Sequence, residues 1–394
     1  MLETKSLSFS YDGGAKALDS VSLSIPAGKK CVFLGPNGSG KSTLFLHFNG
    51  VHKPDFGQVF FDGKQVRYDS ASLALLRSKI SLVFQNPDDQ IFSATVEEDV
   101  AFGPLNAGLA REEAQRRVDD ALSLVGLENL RERPTQQLSF GQRKRVSIAG
   151  AIAMKPKVLL MDEPTAGLDP EMVHELLELS EELNHNGVTV AISTHDIETA
   201  YEWADDVMVL SGGKLVFSGH PDDFFSKGNI HDFGLSPPMA FLVNQQMHWR
   251  TGKPELPRPR SFSELAAKAF PQQNKKSGTL NLACISKSAE SFSALPKAKH
   301  AETKPHMLTG IYGSRARRLA SEGKIDAHYR FHAIEHGLLQ ASLGNDFTLF
   351  VDSELCPIIE RKAKLLEERS GLKVQIAHIH AMQGDGNKIK KNER

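Results

Sequence analysis

The chain has 394 residues, 40% hydrophobic and 24% charged, a composition expected of a soluble globular protein with two domains. No apolar run approaches the ~20 residues that span a bilayer, which argues against a helical membrane domain. Cys31, Cys284 and Cys356 are too few and too scattered for a disulfide framework or a C-x-x-C site, so they read as buried thiols. The N-terminal Met1-Leu2-Glu3-Thr4-Lys5 has no apolar region behind it, so no secretory leader is expected and the protein should stay in the cytoplasm. The net charge of −1 conceals an asymmetry: residues 1–240 carry 22 basic and 33 acidic side chains, a net of −11, and residues 241–394 carry 25 and 15, a net of +10. Such a split suggests two modules with different surfaces, without identifying a nucleic-acid or membrane partner.

Along the chain, Leu7, Phe9 and Tyr11, then Val21, Leu23 and Ile25, alternate as in strands, with Asp12-Gly13-Gly14 as the turn. Lys30-Cys31-Val32-Phe33-Leu34 reads as a buried strand, followed by a glycine-rich loop and a helix from about Ser42. Residues 97–153 are largely helical by pattern, and 158–161 and 188–193 are further buried strands. Strands separated by helices predict a parallel sheet wrapped by helices, an α/β fold, over residues 1–235. The proline-rich stretch 236–277 predicts a linker able to hold short helices. Residues 278–394 predict a small α/β domain, with strands at 280–285, 308–312, 347–351 and 372–376 and helices at 314–321, 328–343 and 354–370. Its basic tail, 387–394, is expected to be disordered.

Gly35-Pro36-Asn37-Gly38-Ser39-Gly40-Lys41-Ser42 fits G-x-x-x-x-G-K-[ST], between a buried strand and a helix, as a phosphate-binding loop requires. The glycines let successive N–H groups turn inward toward phosphate oxygens, and the helix N-terminus adds partial positive charge. Lys41 is placed to reach the β- and γ-phosphates, Ser42 to ligate Mg²⁺, and Thr43 completes the loop's nucleotide contacts. The apolar run 158–161 ends in Asp162 and Glu163. Asp162 is placed to hold Mg²⁺, and Glu163 to orient and deprotonate an attacking water.

Over residues 1–235 the chain resembles the ABC ATPases, through several motifs in a fixed order. The resemblance makes Tyr11 an aromatic that stacks on adenine, and Gln85 the glutamine that senses Mg²⁺ and a transmembrane partner. Leu138-Ser139-Phe140-Gly141-Gln142 is similar to the family signature, usually L-S-G-G-Q, with Phe140 as the departure. Ser139, Gly141 and Gln142 then belong to the nucleotide site, with Ser139 and Gly141 hydrogen-bonding the γ-phosphate. Gly167-Leu168-Asp169 matches the loop that crosses between subunits, and His195 the switch histidine, which joins Glu163 and Lys41 as a catalytic residue. The fold implied is a P-loop NTPase ABC domain with a helical subdomain, binding ATP and Mg²⁺. Such domains pair around ATP, the loop of one facing the signature of the other, so a homodimer is expected.

The stretch 84–104 and the run 138–151 look like the energy-coupling-factor group, especially ATPases of cobalt and nickel importers. That implies docking on a transmembrane energy-coupling subunit with a substrate-binding membrane subunit, peripherally at the cytoplasmic face of the cell membrane. Vitamin importers share this ATPase type. The alternative is a soluble non-transport ABC ATPase acting on nucleic acid or ribosomes. The long heptad arms or tandem ABC domains expected there are absent from the sequence, so no nucleic-acid partner is expected.

In the C-terminal module, His328, His332 and His336 are spaced i, i+4, i+8 on a helix-like segment, and His378-x-His380 adds two more. Imidazoles on one face suit Co²⁺, Ni²⁺ or Zn²⁺, although a solvated face without ligation has the same pattern. Tyr312-Gly313-Ser314-Arg315-Ala316-Arg317-Arg318 reads as a strand-to-helix turn that binds an anion or simply begins a basic, solvated helix.

Overall fold

A computed structural model describes residues 1–12, 14–226, 230–270, 277–286 and 308–380. Gly13 of the expected turn, residues 271–276 of the expected linker and the basic tail lie outside the described residues. The chain divides into two units, Met1–Pro238 and Met239–Arg394.

The first unit opens with strands β1 (Leu2–Ser10), β2 (Lys16–Ile25) and β3 (Lys30–Leu34), then helix α1 (Lys41–Phe48). There follow β4 (Phe56–Phe61), β5 (Lys64–Gln65), α2 (Ser70–Arg77) and β6 (Ile80–Val83). Three helices come next: α3 (Val96–Asn106), α4 (Arg111–Val125) and α5 (Phe140–Ala153). The unit closes with β7 (Val158–Asp162), α6 (Pro170–His185), β8 (Thr189–Thr194), α7 (Ile197–Trp203), β9 (Asp206–Ser211), β10 (Lys214–Gly219) and α8 (Pro221–Ser226).

One sheet has the order β2-β1-β4-β5 and is antiparallel. The other has the order β10-β9-β3-β8-β7-β6, parallel except for the β9–β10 hairpin. Leu2, Leu7 and Ile25 of the first sheet, Phe45 and Phe48 of α1, and Phe33 and Leu160 of the second sheet share one core. β3 and β7 are buried at every position, the pattern of central parallel strands covered on both faces. The helices α3, α4 and α5 pack on one another, and Thr95 and Glu98 close a capping box at the start of α3.

The second unit holds α9 (Met239–Thr251), α10 (Phe262–Ala269), β11 (Thr279–Ile285), β12 (Leu308–Tyr312), α11 (Ser314–Ser321), α12 (Ala333–Ser342), β13 (Phe347–Asp352), α13 (Cys356–Ser370) and β14 (Gln375–His380). Its sheet, β12-β13-β11-β14, is parallel throughout. The stretch expected as a linker carries α9 and α10, and α10 packs on α12 and α13, so the second unit begins at Met239. Glu264 explains the attachment: it accepts hydrogen bonds from Arg369 of α13 and from the backbone N–H of Arg260. Among the described residues no helix is long and apolar enough to cross a membrane.

Three expectations for this unit change. The strand expected at 372–376 lies further on, as β14, where residues 375–380 pair with β11. The helix expected over 328–343 begins only at Ala333, with His332 outside it at φ 51°. Before it the chain runs beside β12: the backbone N–H of His328 donates to the Thr309 carbonyl at 3.1 Å, and Tyr329 bridges Gly310. His328 Nδ1 lies 2.8 Å from Thr309 Oγ1, while the ring of His336 stacks on Tyr329 at 4.2 Å. His328, His332 and His336 therefore do not share a helical face, and among the described residues they form no group that could hold an ion. Of the two readings of the turn at 312–318, an anion site or the start of a basic helix, the first is closed from within. Asp352 accepts from the N–H groups of Arg315 and Ala316, each at 3.0 Å, and so satisfies the first turn of α11 itself.

Candidate active site

β3 lies between β8 and β9, so its C-terminal end delivers the following loop to the middle of the sheet's carboxyl edge, where open α/β sheets hold ligands. The two ends of the loop are tightly enclosed. A Cβ on Gly35, at φ 149°, would lie 2.2 Å from the Leu210 carbonyl oxygen, and one on Gly40, at φ 103°, would lie 2.6 Å from that of Ala17. Only glycine fits either position. The N–H of Gly213 donates to the Ser39 carbonyl at 3.2 Å, tying the loop to the β9–β10 turn.

Pro36, Asn37 and Gly38 are exposed, whereas Ser39 is buried and its hydroxyl has no hydrogen-bond partner. Lys41 folds back on the loop, its Nζ donating to the carbonyls of Gly35 at 2.8 Å and Pro36 at 3.1 Å. Burial holds its ammonium below the usual lysine range, against the opposing pull of Glu163 and Asp162. Ser42 is exposed, and Thr43 is buried with Oγ1 3.1 Å from the Tyr11 hydroxyl. Tyr11 itself is 47% exposed, leaving ring surface open beside the loop.

The two carboxylates are held by a residue that motif reading passed over. The hydroxyl of buried Ser193, on β8, donates to Asp162, and the N–H of Glu163 donates to Ser193 Oγ at 2.9 Å and to its carbonyl at 3.1 Å. Glu163 sits at φ 42°, a left-handed backbone that is costly for a non-glycine residue and is sustained here by those bonds. Its Oε2 lies 3.0 Å from Nδ1 of exposed His195, and its Oε1 is 3.7 Å from Lys41 Nζ. That Oε1 is buried and accepts no hydrogen bond. The structure thus brings together Lys41, Asp162, Glu163 and His195, as the motifs predict, with Ser193 at their base. The run Ser193-Thr194-His195 carried the signal, read only for its histidine.

The signature forms a second group. Ser139 caps α5, its Oγ accepting from the Gln142 N–H at 3.3 Å while Gln142 Oε1 accepts from the Ser139 N–H at 2.9 Å. Ser139 is exposed. A Cβ on Gly141 would lie 2.3 Å from the Met172 sulfur, and one on Gly167 would lie 2.9 Å from the Phe140 ring. Phe140, the departure from the usual signature, therefore packs on the Gly167–Asp169 loop. One turn further along α5, Lys144 is 1% exposed and donates to the carbonyls of Phe84 at 3.0 Å and Gln85 at 2.6 Å. Burial lowers its ammonium to about 8. The side chain of Gln85 is exposed, while its backbone is anchored to the signature helix. Lys144 was also missed, although it stands inside the Gln-x-Lys-Arg run.

A family model described as ABC transporter matches residues 18–166. The Energy-coupling factor transporter ATP-binding protein EcfA of Methanocaldococcus jannaschii is 50% identical over 226 residues, 57% of this chain and 81% of the relative. The structure of cbiO1 from Clostridium perfringens, described as part of the ABC transporter complex cbiONQ, is 41% identical and covers 64% of this chain and 95% of that one, with a TM-score of 0.54. The dimeric ATP-binding cassette MJ0796 bound to ADP and Pi is 31% identical and covers 56% and 99%, with a TM-score of 0.53. The chain belongs to the ABC-transporter ATP-binding proteins of the energy-coupling-factor type, ATPases whose hydrolysis is coupled to transport.

Proposed function

We propose that two copies of this chain pair around ATP and drive a membrane importer whose cargo is cobalt or nickel ions. The observation that carries the motor reading is Glu163. Its buried Oε1 has no hydrogen-bond donor, Lys41 stands on one side, His195 holds the other oxygen, and the left-handed backbone fixes its direction. A carboxylate so held is suited to take a proton from water beside the γ-phosphate.

The other roles follow from position. Lys41 exchanges the carbonyls of Gly35 and Pro36 for the β- and γ-phosphates. The backbone from Gly35 to Thr43 cradles the phosphates, the unpartnered Ser39 hydroxyl gives a further contact, and the exposed ring of Tyr11 receives adenine. His195 keeps Glu163 oriented and meets the γ-phosphate. The donors present also fit Mg²⁺: Ser42 and Asp162 would hold it, with Gln85 as a further ligand, and it would neutralise charge between the phosphates. Exposed Ser139, with Gly141 and Gln142, closes the site of the second copy.

The membrane pathway then belongs to a transmembrane energy-coupling subunit and a substrate-binding subunit, with this chain peripheral at the cytoplasmic face. The names of the relatives support that assignment, and the likeness of residues 84–104 to cobalt and nickel importer ATPases supports the cargo. Uptake of labelled cobalt, nickel and vitamins, in cells with the chain, without it, and with Glu163→Gln, tests both parts. The expected result is metal uptake only with the intact chain. Vitamin uptake in place of metal uptake overturns the cargo, and unchanged uptake of all three overturns the motor.

A further inference from the structure

We propose that Cys284, Cys356 and His378 in the C-terminal unit form a binding site for a borderline-soft divalent metal ion, of the Zn²⁺, Co²⁺ or Ni²⁺ class, with Glu360 orienting His378. The three residues come from separate elements that the parallel topology brings to one place. Cys284 is near the carboxyl end of β11, Cys356 opens α13 just after β13, and His378 is on β14, the neighbour of β11. Their ligand atoms all lie within 4.8 Å of one another.

The individual distances lie close to those of a tetrahedral site. The two sulfurs are 3.1 Å apart, and Cys284 Sγ is 3.7 Å from His378 Nδ1. An ion with bonds of about 2.3 Å to sulfur and about 2.0 Å to nitrogen would set these separations near ~3.8 and ~3.5 Å. Only a small parting of the sulfurs is needed. A disulfide would require them to close to about 2.0 Å.

Glu360 favours the metal over a thiol–disulfide pair. Its Oε1 lies 3.0 Å from His378 Nε2, the nitrogen that does not face the sulfurs. Carboxylate support of the far imidazole nitrogen fixes the tautomer and makes the near nitrogen a better ligand, whereas a disulfide has no use for it. Cys356 is buried, Cys284 half-buried and His378 exposed, and three protein ligands are the set that leaves a tetrahedral ion one position for water or a small ligand. Two thiolates and an imidazole suit Zn²⁺, Co²⁺ or Ni²⁺ and disfavour Mg²⁺ and Ca²⁺.

The test is Co²⁺ titration of the reduced full-length chain without nucleotide, followed by absorption. One Co²⁺ per chain is expected, with sulfur-to-cobalt charge-transfer and the strong visible bands of tetrahedral cobalt, displaced by Zn²⁺. Cys284→Ser and His378→Ala should weaken binding at least about tenfold, and Cys284→Ser should reduce the charge-transfer band. Glu360→Gln should weaken binding about 10- to 100-fold while keeping the band. Wild-type protein supplies a second readout that does not depend on how the variants fold: Zn²⁺ should protect Cys284 and Cys356 from alkylation. A reduced chain that binds no Co²⁺, a cobalt spectrum unchanged in the Cys284→Ser/Cys356→Ser variant, or a Cys284–Cys356 disulfide that forms equally fast with and without Zn²⁺ would each overturn the proposal.

Discussion

Glu163 and Ser193 illustrate how a single residue's backbone can matter as much as its side chain. Glu163→Gln keeps the shape and the left-handed turn but removes the base. ATP turnover should fall about 10²- to 10⁴-fold with nucleotide binding retained, as measured by steady-state hydrolysis beside equilibrium binding. Ser193→Ala removes the hydroxyl that joins Asp162 to the Glu163 N–H. It should cost about 1–3 kcal/mol in unfolding free energy and lower kcat more than it raises KM. An unchanged kcat would remove Ser193 from the machinery. Lys41, Asp162, Glu163 and His195 were legible because strand ends and glycine loops leave a local signature. Ser193 was not, since a serine in a buried strand looks like any other until the neighbouring strand is known.

At the scale of elements, α5 and α1 each carry a buried titratable group whose removal can be read out. Lys144 on α5 holds the backbone at Phe84 and Gln85, so the signature helix and the segment after β6 move as one piece. Lys144→Met should leave stability near neutral pH little changed, because relief of a buried charge offsets two lost hydrogen bonds, yet should lower transport-coupled hydrolysis. His47 on α1 is fully buried, and burial lowers its pKa to about 4, against 6.5 in the unfolded chain. Between those values the unfolded state binds a proton that the folded state refuses, so stability falls as pH drops through 6.5 and levels off below about 4. The loss amounts to about 3 kcal/mol at most. Denaturant unfolding from pH 7 to 4 should be flatter for His47→Asn, which can keep the donor to the Thr43 carbonyl but does not titrate. Elements were largely legible where an unbroken apolar run or a long helical spacing marked them, as in β3, β7 and α13. The 328–343 segment misled because its helical spacing is local, whereas the contact of Tyr329 with Gly310 that keeps its first part extended is not.

For the whole molecule, each unit has a core of its own: Leu2, Phe33 and Phe45 belong to one, Leu280, Phe347 and Ile359 to another. Calorimetry should therefore resolve two unfolding transitions. Mg²⁺ and ATP should raise the midpoint of one and Zn²⁺ that of the other, by the mass action of binding to the folded form. A single transition moved equally by both would contradict two independent cores. The division into two modules was visible in the opposed charges, net −11 and net +10. The grouping of Cys284, Cys356 and His378 was not, because sulfurs 72 positions apart meet only through the strand order.

The enclosure of the phosphate loop has a genetic consequence. The atoms that most closely bar a side chain at Gly35 and at Gly40 are main-chain oxygens, those of Leu210 and Ala17. Exchanging the side chain at either of those positions leaves its carbonyl in place. A search for second-site suppressors of Gly35→Ala should yield none at position 210. Defects built on side-chain clashes, such as Gly141→Ala against the thioether of Met172, should be rescued by a smaller partner.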